Sequence, residues 1–146
     1  MPAYIPEGHH TVTPYLVVPD ALKLIDFMKQ AFDAELTFGP MKGPDGRVQH
    51  AEMRVGDSRV MIGQACEKFP ALPAMIYLYL PDCDATYKKA LAAGATSIME
   101  PADQFYGDRS GGVKDTNGIS WWLGTAKEKL TLEQIQERAA KMSPKK

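Results

Sequence analysis

The sequence predicts an α+β fold made of two consecutive βαβββ modules and a C-terminal helix. Three observations support this prediction. The strand and helix patterns of the first half follow the order β-α-β-β-β, and the same order returns in the second half. The segments Tyr15–Asp20 and Tyr77–Asp82 resemble each other residue by residue, 62 positions apart (15 to 77), and Gly56 and Gly118 have the same spacing. These matches indicate an internal duplication.

The first module covers residues 11–64. Its predicted strands lie at residues 11–18, 36–41, 48–55 and 58–63. Pro14 suggests an edge strand or a bulge. Asp20 is placed to cap a helix on which Leu24, Phe27, Met28, Ala31 and Phe32 recur at helical spacing. Residues 1–10 precede the module as an arm, which we expect to be flexible.

The second module covers residues 74–126 and follows a linker at residues 65–73. Its predicted strands lie at residues 74–80, 96–100, 109–114 and 119–125. Asp82 introduces its helix, Gly94 is the expected C-cap, and residues 115–118 have hairpin-turn chemistry. Residues 127–146 form a helical tail with an apolar stripe at Leu132, Ile135 and Ala139. The tail either packs on the surface or on a partner subunit, or extends into solvent.

Composition narrows the classes of function. The chain has 146 residues and a formal net charge of −1, with dispersed Lys and Arg, so we expect neither nucleic acid nor a membrane as a partner. No apolar run reaches the length of about 18 residues that a membrane-spanning helix needs. The N-terminus lacks signal-peptide features, and Cys66 and Cys83 do not suggest a disulfide framework. A reducing cytoplasm is the expected location.

Three segments resemble a known family. They are Thr11–Val18, His50-Ala51-Glu52 with Gly56-Asp57-Ser58, and Gln104–Arg109. With the tandem modules, they resemble the glyoxalase, bleomycin-resistance and extradiol-dioxygenase (vicinal-oxygen-chelate) superfamily, in particular its PhnB-like branch. The resemblance covers about residues 11–125. It implies a curved half-barrel sheet with helices on its outer face, inner faces that enclose a cavity, and a homodimer.

Alternation along the strands predicts which side chains face inward, because the helix-covered side must be apolar. The inward positions form an aromatic surface with a few polar groups, as small-molecule sites have. They include Tyr15, His50, Glu52, Arg54, Tyr77, Tyr79 and Trp122. A dimer interface would also be aromatic, so burial by a second chain stays open as the alternative.

Enzymes of this superfamily commonly hold a divalent metal with His and Glu side chains. Alignment puts Thr13, Met61 (or a neighbour), Met75 and Trp122 at the ligand positions. A thioether is a soft ligand and an indole N–H only donates, so we expect the usual metal site to be absent. His50 and Glu52 alone are too few ligands, and Arg54 favours an ion pair with Glu52.

The segment from Phe105 to Gly112 carries further candidates. Asp108 and Arg109 pair with each other or brace the loop. In a functional role, Arg109 would receive an anionic ligand group and Tyr106 would stack over the ligand. If the protein is an enzyme, His50 and Glu52 are the acid–base pair, although the sequence supplies no partner that fixes the histidine tautomer.

Three hypotheses follow. The first is a small-molecule-binding protein without the usual metal and without a predicted cofactor. The second is a metal-dependent lyase or dioxygenase with a non-standard divalent metal site near His50 and Glu52. The third is a dimeric interaction module that binds no ligand. The sequence does not decide whether the modules pair within one chain or across a dimer.

Overall fold

A computed structural model describes residues 4–142 of the chain. Among these residues the first module contains β1 (Tyr15–Val18), α1 (Ala21–Phe32), β2 (Glu35–Lys42), β3 (Val48–Val55) and β4 (Ser58–Gln64). The second contains β5 (Met75–Tyr79), α2 (Cys83–Ala92), β6 (Thr96–Asp103), β7 (Asp108–Lys114) and β8 (Ser120–Ala126). The last element is α3 (Leu132–Ala140). The predicted α+β fold with two βαβββ modules is confirmed.

Each module forms one open four-stranded sheet. The strand orders are β1-β4-β3-β2 and β5-β8-β7-β6, so the first and second strands of each module lie at the sheet edges. The first strand runs parallel to the last, and the other pairs are antiparallel. Register shifts interrupt β2 and β6, and irregularities of this kind bend a sheet locally.

Both module helices begin with the predicted aspartate caps. The Asp20 carboxylate accepts a hydrogen bond of 3.1 Å from the backbone N–H of Lys23, and Asp82 accepts one of 3.2 Å from Ala85. The C-cap of α2 is Ala93 instead of Gly94. Gly94 follows with a φ of 109°, a left-handed value that a side chain would disfavour.

The helix-facing sides of the two sheets share one apolar core. Phe32 from the end of α1 reaches the second module, where its ring centroid lies 4.9 Å from that of the buried Trp121. Helix α1 also contacts α2 directly. The other side of each sheet is turned away from this core. The modules are therefore joined through their helical sides, and their open faces lie outside the shared core.

Several boundaries differ from prediction. Strand β1 begins at Tyr15 instead of residue 11, because Pro14 contributes only its carbonyl, which accepts from the N–H of Met61 at 2.9 Å. Strand β6 continues past residue 100 to Asp103. Helix α3 has no fully buried residue, and its Arg138 pairs with Glu128 in the segment before it. Residues 143–146 of the predicted tail lie outside the described range. None of the described helices is long and apolar enough to cross a membrane.

Candidate functional site

The open face of the second sheet is aromatic. On β5, Tyr77 and Tyr79 are 39% and 67% exposed, whereas Ile76 and Leu78 pack against the core from the opposite side. The adjacent strand β8 repeats this alternation, with its first tryptophan buried and Trp122 half-buried on the open face. The period of two along each strand predicted these orientations correctly.

Asp108, the first residue of β7, is the acidic group of this face. It is only 8% exposed. Its Oδ2 accepts hydrogen bonds from the hydroxyl groups of Tyr77 at 2.9 Å and Tyr79 at 3.0 Å. Burial, followed by the hydrogen bond to Asp108, raises the pKa of Tyr77, and the same carboxylate raises the pKa of Tyr79. Both phenols therefore keep their protons and donate at neutral pH.

Two glycines make room for the rings of this face. A Cβ atom at Gly124 would lie 2.4 Å from the Tyr77 hydroxyl oxygen, and one at Gly112 would lie 2.9 Å from the Trp122 ring. Both aromatic side chains therefore lie directly over backbone of a neighbouring strand. The first module repeats this arrangement, because a Cβ atom at Gly63 would lie 3.0 Å from the Tyr15 hydroxyl oxygen.

Tyr106 lies beside these groups. Its hydroxyl oxygen is 3.1 Å from Oγ of the buried Ser110, and its ring meets Phe105 edge to face at a centroid distance of 5.3 Å. Tyr106 also contributes to the raised pKa of Tyr77. This half-buried tyrosine thus belongs to the same group of side chains as Tyr77 and Asp108.

The open face of the first sheet carries a chain of four polar side chains. Glu52 accepts from His9 at 2.8 Å through Oε1 and from His50 at 3.0 Å through Oε2. The hydrogen bond with His50, and to a lesser degree the contacts with His9, keep the pKa of Glu52 below its usual range although burial opposes them. An ionised carboxylate only accepts, so both histidines present Nε2–H to Glu52. In neutral His50, Nδ1 then accepts from the Tyr15 hydroxyl, which lies 3.1 Å away.

Two expectations for this region were wrong. Arg54 does not pair with Glu52; it pairs with Glu35 on the neighbouring strand. The two histidines occupy both carboxylate oxygens of Glu52 instead. His9, expected in a flexible arm, contacts Glu52 with a side chain that is 11% exposed. No sequence pattern links His9 to a strand 43 residues later in the chain.

Of the two expectations for Asp108 and Arg109, the pairing with each other is wrong, whereas Arg109 does brace the loop, through Asp103. Successive residues of a strand point to opposite sides, so Arg109 lies on the helix-facing side of the second sheet. There its Nε and Nη2 atoms donate to Asp84 of α2 at 2.7 and 3.0 Å, and Nη1 donates to Asp103 at 3.2 Å. Both carboxylates raise the pKa of Arg109, and its predicted role of receiving a ligand anion lacks geometric support.

The donor chemistry at the four aligned positions does not fit a hard or borderline metal ion. Met61 lies opposite Tyr15 in the sheet register, Met75 is 67% exposed, and Trp122 lies over Gly112. Thr13 bonds through its hydroxyl to the carbonyl of His10. Within residues 4–142, no three His, Cys, Asp or Glu side chains are grouped so as to hold a metal ion.

A cavity of about 720 Å³ adjoins β5 between the two modules. Tyr77 and Tyr79 line it from the second module. The arm, the end of α1 and the β3–β4 turn supply the other walls, which include Val12, Phe32, Asp33, Asp57 and Arg59. The volume is in the range of ligand pockets.

Sequence reasoning gave Asp108 only a structural role and His9 none, although both are central to the open faces. Alternation along β7 could have placed Asp108. Val113 is apolar and must face the core, and Arg109, four residues earlier, lies on the same side of the strand. Asp108, next to Arg109, must then lie on the open side. For His9 no such signal existed, because it precedes the first strand.

Fold and site together define a class of protein: two-module βαβββ chains with open aromatic and polar faces. The family model of the Glyoxalase/Bleomycin resistance protein/Dioxygenase superfamily matches residues 8–123. This chain belongs to that superfamily.

Relatives extend the comparison. An uncharacterized protein of Mycobacterium bovis is 38% identical over 136 residues, which cover 86% of this chain and 89% of that protein. An uncharacterized protein of Mycobacterium tuberculosis has the same identity, with 79% of its length covered. Neither name states an activity.

Solved structures share the fold. A superfamily member from Sphaerobacter thermophilus has a TM-score of 0.66 and 22% identity, covering 86% of this chain and 98% of that one. TioX from Micromonospora sp. ML1 has a TM-score of 0.64 and 21% identity, covering 84% and 100%. A glyoxalase-related enzyme from Fulvimarina pelagi has a TM-score of 0.62 and 13% identity, covering 80% and 87%.

Proposed function

We propose that this chain is a small-molecule-binding protein that uses its open aromatic faces and not the usual divalent metal site of its superfamily. The observation that carries the proposal is the arrangement of Tyr77 and Tyr79 around the buried Asp108 carboxylate. Aromatic area beside a few oriented polar groups is typical of ligand sites. Tyr106 and Trp122 extend the surface on the same face, and Tyr15, His50 and Glu52 form its counterpart on the first sheet.

We further propose a homodimer in which the open faces of two chains line a ligand site between them, without Trp122 being needed for the dimer itself. Each open face lies on the side of its sheet away from the shared core, and the edge strands β1 and β5 pair on one side only with a strand of their own module. A second copy could therefore set the first sheet of one chain against the second sheet of the other.

We also propose that the chain belongs to the PhnB-like branch, because its His50-Ala51-Glu52 and Gln104–Arg109 segments resemble that branch. We propose a location in the cytoplasm, where Cys66 and Cys83 would stay unpaired.

The proposal is tested with the uncharged dye Nile red, whose fluorescence rises in apolar surroundings. We expect saturable binding that Trp122→Ala and Tyr79→Ala weaken at least tenfold. Phe69→Ala is the matched control, because Phe69 is an exposed ring outside the open faces. Equal binding by all variants would contradict the proposed site. Light scattering of the same samples distinguishes a ligand site from a dimeric interaction module that binds no ligand. Loss of the dimer in Trp122→Ala would indicate an interface and not a ligand site.

The hydrogen-bonded series of side chains Tyr15–His50–Glu52–His9 favours a second candidate function, an enzyme that moves a proton through His50. Tyr15 and Glu52 hold both ring nitrogens of His50, which orients the imidazole for acid–base work. Elemental analysis of the purified protein tests the metal-dependent form of this candidate. A stoichiometric, tightly bound metal that His50→Gln removes would favour it over the metal-free proposal.

A further inference from the structure

We propose that the open face of the second sheet recognises an organic cation, with Asp108 as its counter-charge and the rings of Tyr77 and Tyr79 as its contact surface. This inference rests on the proposed ligand-binding function and adds the chemical class of the ligand.

The first step is an unbalanced charge. Asp108 and Asp115 are the buried acidic side chains within residues 4–142. Asp115 accepts from two backbone N–H groups and an indole N–H at the β7–β8 turn. Asp108 accepts from two neutral phenols and forms no ion pair with any described residue. Its negative charge is therefore oriented but not neutralised.

The basic side chains nearest to Asp108 lie elsewhere or are already paired. Arg109 is adjacent in the chain, but it lies on the opposite side of the sheet and is held by Asp84 and Asp103. Lys114 shares the open face of β7, but six residues of strand separate it from Asp108, or about 20 Å. Lys127 lines a smaller cavity of about 450 Å³ with Asp108, and Arg59 lines the cavity beside β5 with Tyr77 and Tyr79. Neither side chain forms an ion pair with Asp108, whose carboxylate has the two tyrosine hydroxyls as its hydrogen-bond partners within residues 4–142.

The third step is the aromatic surface. The rings of Tyr77 and Tyr79 have centroids 5.1 Å apart and are inclined by 48°, so they pack against each other and present one continuous aromatic surface. Ring faces attract cations, most strongly where water is partly excluded. Both hydroxyl groups donate to an anion, which adds electron density to the rings. An anionic ligand would be repelled by Asp108, and a neutral one would gain at most a hydrogen bond, without the charge attraction that a cation receives.

The contrast with the first sheet supports this assignment. There the acidic group, Glu52, is already satisfied by His9 and His50. The charged groups of the cavity beside β5, among them Asp57 and Arg59, come from the first module, whereas the second module contributes mainly tyrosines and aliphatic side chains, with Thr86. The aliphatic wall from β5 would contact the hydrocarbon part of the ligand. The site fits an amine or quaternary ammonium with an apolar body.

Three probes of nearly equal shape test the charge preference. They are choline, its uncharged isostere 3,3-dimethylbutan-1-ol, and the anion 3,3-dimethylbutanoate, each titrated by NMR against the full chain. We expect choline to bind at least tenfold more tightly than the alcohol, and the anion to show no saturable shift. Equal binding of choline and the alcohol would overturn the inference. This test uses only the wild-type protein, so it does not depend on whether a variant folds.

Asp108→Asn keeps an acceptor for the tyrosines and removes the charge. We expect the preference for choline over the alcohol to fall from at least tenfold to within about twofold, because the charge that attracts choline but not the alcohol is gone. Asp103→Asn is the control, since it makes the same charge change on an exposed side chain. An unchanged preference in Asp108→Asn would contradict the inference. If Nile red binds but choline has no advantage, only the cation class fails; if neither binds, the proposed function fails with it.

Discussion

The indole N–H of Trp121 donates a hydrogen bond of 2.8 Å to Oδ2 of Asp115, and both side chains are buried. The other carboxylate oxygen accepts from the backbone N–H groups of Asn117 and Ile119. One carboxylate therefore fixes the β7–β8 turn and the largest side chain of the core. Trp121 also meets Phe32 of the other module, so the turn and the junction between modules depend on each other.

Asp115→Ala should lower the free energy of unfolding by about 3 kcal/mol, because it removes hydrogen bonds to a charged group and leaves a buried indole N–H without an acceptor. Urea denaturation measures the change. Asp57→Ala, in an exposed turn, is the control and should change stability by less than about 0.5 kcal/mol. Similar losses in the two variants would contradict the structural role of Asp115.

Gly124→Ala should destabilise the protein through Tyr77, since the new Cβ would lie 2.4 Å from its hydroxyl oxygen. Overpacking of this kind costs about 1–3 kcal/mol. The same substitution in a Tyr77→Ala background should cost much less, because the obstructing ring is gone. A double-mutant cycle from thermal unfolding measures this coupling. Additive effects would show that Gly124 is required for another reason.

Much of the fold followed from sequence because its signals are local. Asp20 and Asp82 predicted the starts of both helices, and strict alternation from Val48 to Val55 predicted the bounds of β3. Strand β1 was predicted too long because Val12 and Thr13 have strand propensity, whereas the ladder needs N–H groups at the right register. Local propensity does not encode that pairing.

The site was less predictable, because its contacts join residues far apart in the chain. Alternation placed Tyr77, Tyr79 and Trp122 on the open face correctly. It could not show that Glu52 binds His9, or that Asp84 and Asp103 hold Arg109. Charged neighbours in sequence were paired by default, and that rule failed for both Arg54 and Arg109. A long side chain finds its partner on an adjacent element, which only the tertiary structure reveals.

Glu52→Gln should make stability less dependent on pH in acid. The folded-state pKa of Glu52 is lowered, so the ionised carboxylate contributes stability above its ordinary pKa of 4.5, and that contribution is lost as pH falls through the lower folded pKa. The stability difference between wild type and Glu52→Gln should therefore shrink as the pH falls below about 4.5. Thermal unfolding from pH 3 to pH 7 measures it.

Glu67→Gln is the control for that series, because Glu67 is exposed and has no described ion-pair partner within residues 4–142. Its stability difference from wild type should vary little with pH. If the stability difference between Glu52→Gln and wild type also does not change with pH, the hydrogen bonds of His9 and His50 to Glu52 do not stabilise the folded state.

Arg109→Gln should lower the melting temperature and leave Nile red binding unchanged. The guanidinium joins Asp84 of α2 to Asp103 of β6 on the helix-facing side, away from the open face. These groups are solvent-accessible, so salt should screen them and the loss should be smaller at 1 M NaCl than at low ionic strength. Scanning calorimetry at both salt concentrations measures it. Weakened dye binding with an unchanged melting temperature would instead support a ligand role for Arg109.

Asn117→Ala should loosen the junction between the modules. The Asn117 side chain accepts from the N–H of Asp20 at 2.8 Å and donates to its carbonyl at 2.9 Å, so one amide holds the residue that caps α1. Loss of two such hydrogen bonds should cost about 1–2 kcal/mol. Thr116→Ala, an exposed neighbour in the same turn, is the control.

Hydrogen exchange locates the Asn117 effect as well as measuring its size. Because Asp20 also caps α1 through Lys23, faster exchange in Asn117→Ala should be concentrated in the first turn of α1 and at the β7–β8 turn, with β2 and β3 unchanged. Uniform acceleration across both modules would mean that the substitution lowers global stability and that the modules unfold together. A pattern confined to the junction would mean that this amide stabilises the contact between the two modules locally, without being needed for the stability of either sheet.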